Sequence, residues 1–321
     1  MSEQRRPTAE DIERLLVGLP PRHTRAEVAT EAGVSQDLAA RIWRALGFAQ
    51  RADDAVAFTD ADVAALRRVR RMLDGGLDEQ TVIRMARALG QTTARLAQWQ
   101  AEIFVGATLP EERAEGDLAA LLGTAQELLP DFQHVLVHVW RAQLAAAGTR
   151  LLAMADVHDE LAPTRVPLAV GFADLVSFTR RARELDEKEL AELVEGFEAR
   201  ASDVVACHGA RLVKTLGDEV LFTARTAEQA GAIALDLAET CELRIGMAYG
   251  PVVPMMGDVF GTTVNLAARL TAIARPGTIL VDAELADGLD GREGYALHKI
   301  RRRPARGLGV VQPYVLRRSS S

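Results

Sequence analysis

VPLAVGFADLVSFTR, residues 166–180, begins as an apolar strand and breaks at Asp174, and its reading decides the fold of the C-terminal half. The same half carries RLVKTLGDEVLF at 211–222 and GDVFGTTVNLAARL at 257–270. Between and beyond these runs the pattern alternates. Strands are expected at VPLAVGF (166–172), ARLVKTL (210–216), EVLFTA (219–224), LRIGMAYG (243–250) and TILVD (278–282). Helices are expected at 186–209, 226–241 and TTVNLAARLTAIA (262–274). Short strand-like runs follow at GYALHKI (294–300) and PYVL (313–316). Strands split around helices in this order predict an α+β, ferredoxin-like core.

Asp174 lies just past its apolar strand. Asp218 lies in a turn between two strands that Gly217 makes possible. Two carboxylates projected from strand ends can share a pair of hard cations, and Mg²⁺ in particular prefers oxygen ligands and keeps substrate phosphate in its shell. Such a pair suits in-line displacement at phosphorus. The backbone N–H groups of the turn 175–178, leading into the next segment, are expected to cradle phosphates, with Phe178 and Thr179 beside them.

FADLVSFTR, KTLGDEVLF and GDVFGTTVNLAARL, in this order and at these separations, resemble the catalytic domain of the class III nucleotidyl cyclases. The resemblance covers residues 166–318, roughly half of the chain. It implies that Asp174 and Asp218 hold two Mg²⁺ or Mn²⁺ ions per active site, with the backbone carbonyl of Leu175 completing the shell. It implies that Lys214 and Asp258 read the adenine ring, where guanylyl cyclases carry Glu and Cys-type residues, so ATP is the expected substrate. Asn265 and Arg269 match the pair that orients the ribose and stabilises charge on the phosphoryl oxygens; four apart, they share a helix face. Arg306, ahead of Gly307, is the best match for the side chain that grips the terminal phosphates, with Arg301, Arg302 and Arg303 as competitors. The implied reaction is ATP to 3′,5′-cyclic AMP and pyrophosphate. In this family the site lies between two catalytic domains, so a chain carrying all six residues is expected to act as a homodimer.

Residues 1–150 read as almost entirely helical, with a polar loop at Asp53-Asp54 and a polar break at TLPEERAEGD (108–117). Thr8, Ser35 and Thr59 or Asp60 are placed to cap helices, Gly75-Gly76 ends one, and Asp78 opens the next. Segments 24–32 and 35–48, around the turn Ala32-Gly33-Val34-Ser35, form a helix-turn-helix pattern loosely similar to MerR-type regulators. Charge argues against DNA: through residue 160 there are 18 Arg and no Lys against 24 Asp and Glu, a net of −6. The one basic patch, Arg67, Arg68, Arg70 and Arg71, reads as a solvated helix face. Trp43, Phe48, Met72, Met85, Trp99, Phe104 and Trp140 are expected in the core, an apolar or lipid ligand between the helices being the alternative. His134 and His138 share a helix face and suit an interface, a metal or a pH signal. Helical periodicity from 118 to 154 is expected to be interrupted at Pro130. Residues 151–165 are expected to link this half to the catalytic half, and the layout resembles soluble bacterial adenylate cyclases whose N-terminal domain regulates or inhibits catalysis.

The composition, 48% hydrophobic and 26% charged with a net charge of −7, suits a globular protein and disfavours nucleic acid and anionic membranes. Cys207 and Cys241 alone make no disulfide framework or zinc site and fit a reducing compartment. The apolar stretch 135–154 is broken by His138, Arg141, Gln143 and Arg150, so no membrane span is expected, and the N-terminus shows no signal-peptide pattern. The expected location is the cytoplasm.

Overall fold

The computed structural model describes residues 8–49, 52–108, 118–158, 165–305, 307 and 309–319. The chain divides into two compact units between Ala146 and Ala147.

The first unit is helical: α1 (Ala9–Val17), α2 (Arg25–Ala32), α3 (Gln36–Leu46), α4 (Asp60–Asp74), α5 (Glu79–Thr108) and most of α6 (Leu118–His158). The expected caps form. Thr8, Thr24 and Ser35 accept from the N–H three residues on, and at Thr59 the N–H and hydroxyl donate to the Asp62 carboxylate. Helices α2 and α3 meet across the turn at Gly33, and their small core gathers Val28, Leu38, Ile42, Trp43, Val63 and Leu66. Arg67 and Arg70 of the basic patch donate to the carbonyls of Glu31 and Gly33, at 3.2 Å and 2.8 Å. They close the C-terminal end of α2, where unpaired carbonyls concentrate negative partial charge.

Two expectations for this unit are corrected. Of the aromatic and Met side chains assigned to the core, only Trp43 is buried. Phe48, Met72, Met85, Trp99 and Trp140 are exposed, and Phe104 is partly so. The core around α2 and α3 is small, and among the described residues many apolar side chains of α5 and α6 stay exposed, Trp99 with the Arg95 guanidinium over its ring at 4.5 Å. Pro130 lies inside α6 rather than interrupting it. Proline removes one N–H from the ladder and crowds the carbonyl four residues back. The turns on either side are long enough to propagate helix past one lost bond. The segment 151–158 continues α6, and residues 159–164 lie outside the described residues.

The second unit is a mixed sheet with helices on both faces. Its elements are β1 (Val166–Leu175), α7 (Phe178–Glu184), α8 (Glu187–Cys207), β2 (Arg211–Thr215), β3 (Glu219–Ala224), α9 (Ala227–Thr240) and β4 (Leu243–Met255). Then come β5 (Asp258–Phe260), α10 (Thr262–Ile273), β6 (Thr278–Val281), α11 (Ala283–Leu289), β7 (Tyr295–Lys299), β8 (Arg303–Ala305), β9 (Gly309–Val311) and β10 (Tyr314–Arg318). The sheet order is β2-β3-β1-β4-β6-β10-β7, with β5 paired to β4, while β8 and β9 form a separate ribbon. The β4-β1-β3-β2 half is antiparallel and ferredoxin-like, as expected.

Alternation along β1 sorts its side chains. Ala169, Ala173 and Leu175 face α8, α9 and α11, packing with Phe197, Phe222, Ile233 and Leu285. Val170 and Phe172 face the other way, with Leu221, Ala248 and Ala267 of α10. Fully burying a side chain as large as Phe197 is worth about 2–3 kcal/mol. Helix α10 lies very close to β4: a Cβ on Gly246 would sit 2.1 Å from the Thr271 nitrogen and 2.5 Å from the Ala267 oxygen.

Gly246→Ala is therefore expected to force α10 off the sheet. Overpacking of this kind costs about 1–3 kcal/mol. Thermal unfolding of the full chain should show the catalytic unit melting lower by several degrees; an unchanged melting curve would refute the close approach. In the first unit, His23 sits 2.8 Å from Asp60 and 3.4 Å from Glu31. The hydrogen bond to Asp60 raises its pKa above 6.5 against the smaller effect of burial, with Glu31 adding to the rise. The stabilisation is thus complete below the unfolded pKa and is lost as pH rises through the folded one. Hydrogen exchange should show the amides of α2 and α4 losing protection between about pH 6 and pH 8, with His23→Gln flattening that dependence.

Candidate active site

β1 is hydrogen-bonded on both sides, and its register places the site. Asp174 stands opposite Glu219 of β3 and opposite Arg244 of β4. One residue later, the Leu175 N–H donates to the Asp218 carbonyl at 2.8 Å. This ties the end of β1 to the turn between β2 and β3, where Gly217 has φ 73°. Asp174 and Asp218, expected to act together, are thus brought side by side.

Their electrostatics fit a cation site. Burial, and next the charge of Asp218, push the Asp174 carboxyl above its ordinary value, while Arg244 pulls the other way. Glu219 is raised by burial and by both aspartates, against Lys214. Crowded, partly buried carboxylates repel one another, and a divalent cation relieves that repulsion. Among the described residues no three His, Cys, Asp or Glu side chains form a ready-made metal cage. Two aspartates with the Leu175 carbonyl therefore fit Mg²⁺ or Mn²⁺ that complete their shells with phosphate and water.

The Lys214 Nζ donates to the Asp258 Oδ2 at 2.6 Å, and the Val259 N–H donates to the Asp258 Oδ1 at 2.8 Å. Burial opposes ionisation of Asp258, but these hydrogen bonds and the charges of Lys214 and Arg211 outweigh it, and the carboxyl sits below its ordinary pKa. Lys214 reaches this place through a bulge. Leu212 pairs with Phe222 but Lys214 pairs with Leu221, leaving Val213 extra. A regular strand would put Lys214 on the side of Leu212, facing α8. The extra residue turns it to the face of Leu221, Phe172 and Asp174. A half-exposed ion pair contributes about 0–1 kcal/mol. Stability alone is a poor reason for a lysine and an aspartate, 44 residues apart, to be set this closely.

Asn265 and Arg269 occupy the outward face of α10, opposite the buried Thr263, Ala267, Leu270 and Thr271. Both are exposed, and among the described residues neither side chain has a hydrogen-bond or ion-pair partner. No hydrogen bond or ion pair joins them to Asp174 or Asp218 among the described residues.

The phosphate cradle is corrected in part. Of the N–H groups in the turn 175–178, Leu175 donates to Asp218 and Val176 donates to Glu242. The fold has already used these two, because the turn is pinned to both neighbouring strand ends. The N–H groups of Ser177 and Phe178 remain at the start of α7, where Ser177 takes a left-handed φ of 63° and gives no side-chain cap. The Phe178 ring packs on the main core. The side chain of Thr179 and the whole of Arg306 lie outside the described residues. His134 engages the Pro130 carbonyl at 2.7 Å.

Sequence reasoning missed Glu219 and Arg244. Arg244 Nη1 is 3.8 Å from the Asp174 carboxylate, and its Nε is buried without a hydrogen-bond partner among the described residues. Only strand register shows that these two flank Asp174.

Comparison with known proteins covers both units. Residues 13–147 match the family described as the adenylate cyclase regulatory domain, and 163–318 match the adenylate and guanylate cyclase catalytic domain. An adenylate cyclase of Streptomyces coelicolor is 46% identical to this chain, over 97% of it and 90% of the relative. One from Streptomyces griseus is 44% identical over 97% and 89%, and one from Glutamicibacter nicotianae is 38% identical over 97% and 82%. With carboxylates crowded at the end of β1, Lys214 set on Asp258, and these relatives matching almost end to end, the chain belongs to the class III adenylate cyclases that carry a helical regulatory domain ahead of the catalytic domain.

Proposed function

We propose that this adenylate cyclase converts ATP to 3′,5′-cyclic AMP and pyrophosphate at two equivalent sites, each shared between two copies of the chain. The observation that carries the reading is a split inventory. The carboxylates are gathered at the end of β1, while Asn265 and Arg269 stand exposed on another element with no hydrogen-bond or ion-pair partner among the described residues. A two-fold dimer gives each half-set its complement.

Asp174, Asp218 and the Leu175 carbonyl would hold the two ions, which when bound acidify the ribose 3′-hydroxyl and neutralise phosphate charge. The protein groups supply the rest. Lys214 donates to a ring nitrogen of adenine and Asp258 accepts from its exocyclic amine. Guanine presents an oxo group where Asp258 needs a donor, and unpaired buried groups reject such a base by factors up to ~10⁴. Asn265 orients the ribose so that the 3′-oxygen lines up on the α-phosphorus. Arg269 stabilises the charge that grows on the phosphoryl oxygens as the new bond forms. In this reading the Arg244 guanidinium, whose Nη1 already lies near the Asp174 carboxylate, and the N–H groups of Ser177 and Phe178 take phosphate oxygens as pyrophosphate leaves.

Residues 1–150 serve regulation and dimerisation in this reading, with 151–165 as linker and 166–318 as catalytic domain. Support comes from the regulatory-domain match and from Val135, Val139, Trp140 and Leu144, all exposed along α6. That surface suits a second copy or an apolar ligand, and His23 offers a pH-responsive contact. With Arg67 and Arg70 engaged at the end of α2, DNA is not part of the reading. No helix among the described residues is long and apolar enough to cross a membrane. A cytoplasmic enzyme fits the ATP substrate.

The test is cyclic nucleotide formation by the full chain from ATP or GTP with Mn²⁺ or Mg²⁺. Cyclic AMP is expected from ATP, and Asp218→Ala should abolish it; product that survives in that variant would sink the assignment. Asp174→Ala and Asn265→Ala, each inactive alone, should regain about a quarter of native activity when folded together in equal amounts. Half of the random dimers are then mixed, and each mixed dimer has one intact site of two. Persistent inactivity of the mixture would remove the shared site.

A further inference from the structure

Asp258 begins β5 immediately after the turn Met256-Gly257, and both turn residues have positive φ, 53° and 78°. Such a turn matches the twist of a two-residue hairpin, and Gly257 adopts it freely. For Met256 it is strained, costing on the order of 1 kcal/mol, and strain of this kind persists only where surroundings impose it. Met256 is exposed, so its own side chain is not what holds the turn.

Beyond the pairing of Met255 with Asp258 in the hairpin itself, the hold comes from β2. The Arg211 Nη2 donates to the Gly257 carbonyl, reaching across 46 positions of sequence. Three residues further along β2, past the bulge at Val213, Lys214 donates to Asp258. One strand therefore grips two consecutive residues of the turn: Arg211 takes the backbone of Gly257 and Lys214 takes the carboxylate of Asp258. The Lys214 and Val259 contacts alone leave the turn that carries Asp258 free to pivot, because a lysine ammonium is a point donor on a flexible stem and the Val259 N–H moves with Asp258. Fixing the preceding carbonyl removes that freedom. The Arg211 charge also helps to keep Asp258 ionised.

We infer that Arg211 is a positioning residue for base discrimination, clamping the Gly257 carbonyl so that Asp258 is presented rigidly to the 6-position of the purine. This rests on the base-reading role given above to Lys214 and Asp258. A rigid carboxylate accepts from a 6-amino group and repels a 6-oxo group. A carboxylate on a loose turn swings aside, which weakens the first interaction and relieves the second.

The experiment is steady-state kinetics of the full-length enzyme with ATP and with GTP, comparing native chain, Arg211→Ala, Arg211→Lys and Asp258→Ala, with melting temperatures measured alongside. Arg211→Ala should raise KM for ATP about tenfold with a smaller fall in kcat, and lower the ATP-to-GTP ratio of kcat/KM by about tenfold, equivalent to ~1.4 kcal/mol. Arg211→Lys should recover most of that ratio, because one nitrogen of the guanidinium makes the contact. If Arg211→Ala leaves the ratio as in the native chain, or depresses both nucleotides equally, the positioning role is overturned. A ratio that collapses in Asp258→Ala but not in Arg211→Ala removes only the role of Arg211. A ratio unmoved in both variants removes the base-reading role, and this inference with it. Should Arg211→Ala not fold, Arg211→Gln, which keeps part of the stem and loses the reach, is judged by the same criteria.

Discussion

Asp174 belongs to a strand with neighbours on both sides, and that double pairing is the constraint on which the site depends. An edge strand can slip or twist away. β1 cannot, because β3 and β4 fix its register independently and both faces of the sheet are covered by helices. The fold thereby holds together carboxylates that would separate if free to do so. The repulsion among Asp174, Asp218 and Glu219 is opposed by backbone hydrogen bonds and by buried apolar area, which are indifferent to the charges at the strand end. Stability generated in the core maintains an unfavourable arrangement at the rim, and that arrangement is what makes the rim attractive to cations.

The Lys214–Asp258 pair follows a different principle. Lys214 and Asp258 neutralise one another, and each has its position set by backbone geometry: a bulge for the lysine, a left-handed turn for the aspartate. Helix α10 contributes by closeness. Gly246 lets it sit on β4 with almost no side-chain layer between, so Asn265 and Arg269 project from a rigid platform.

Much of this was legible in the sequence, for identifiable reasons. Asp174, Asp218, Lys214, Asp258, Asn265 and Arg269 fall in runs whose order and separation are informative together. The helices around Trp43 and the strands of the catalytic half show periods that match their burial, while the apolar spacing of α5 and α6 does not. What escaped was short or relational. β5, α7 and α11 have three to seven residues, too few for a period to show. Glu219 and Arg244 become neighbours of Asp174 only through register, which single-strand patterns do not encode. Trp99 and Trp140 were misplaced because apolar spacing reports that a face avoids water and is silent about which molecule covers it. Pro130 misled because a local rule about one residue met a helix long enough to absorb it.

The bulge in β2 has a consequence of another kind. The face on which Lys214 emerges depends on how many residues precede it on the strand, since Val213 acts by being present and its side chain is secondary. Substituting one amino acid for another leaves that parity untouched, so a catalogue of point mutants would pass over it. Insertions and deletions change it. Exchanging β2 between related proteins, or counting positions along it as though the strand were regular, would therefore carry the right lysine to the wrong side of the sheet.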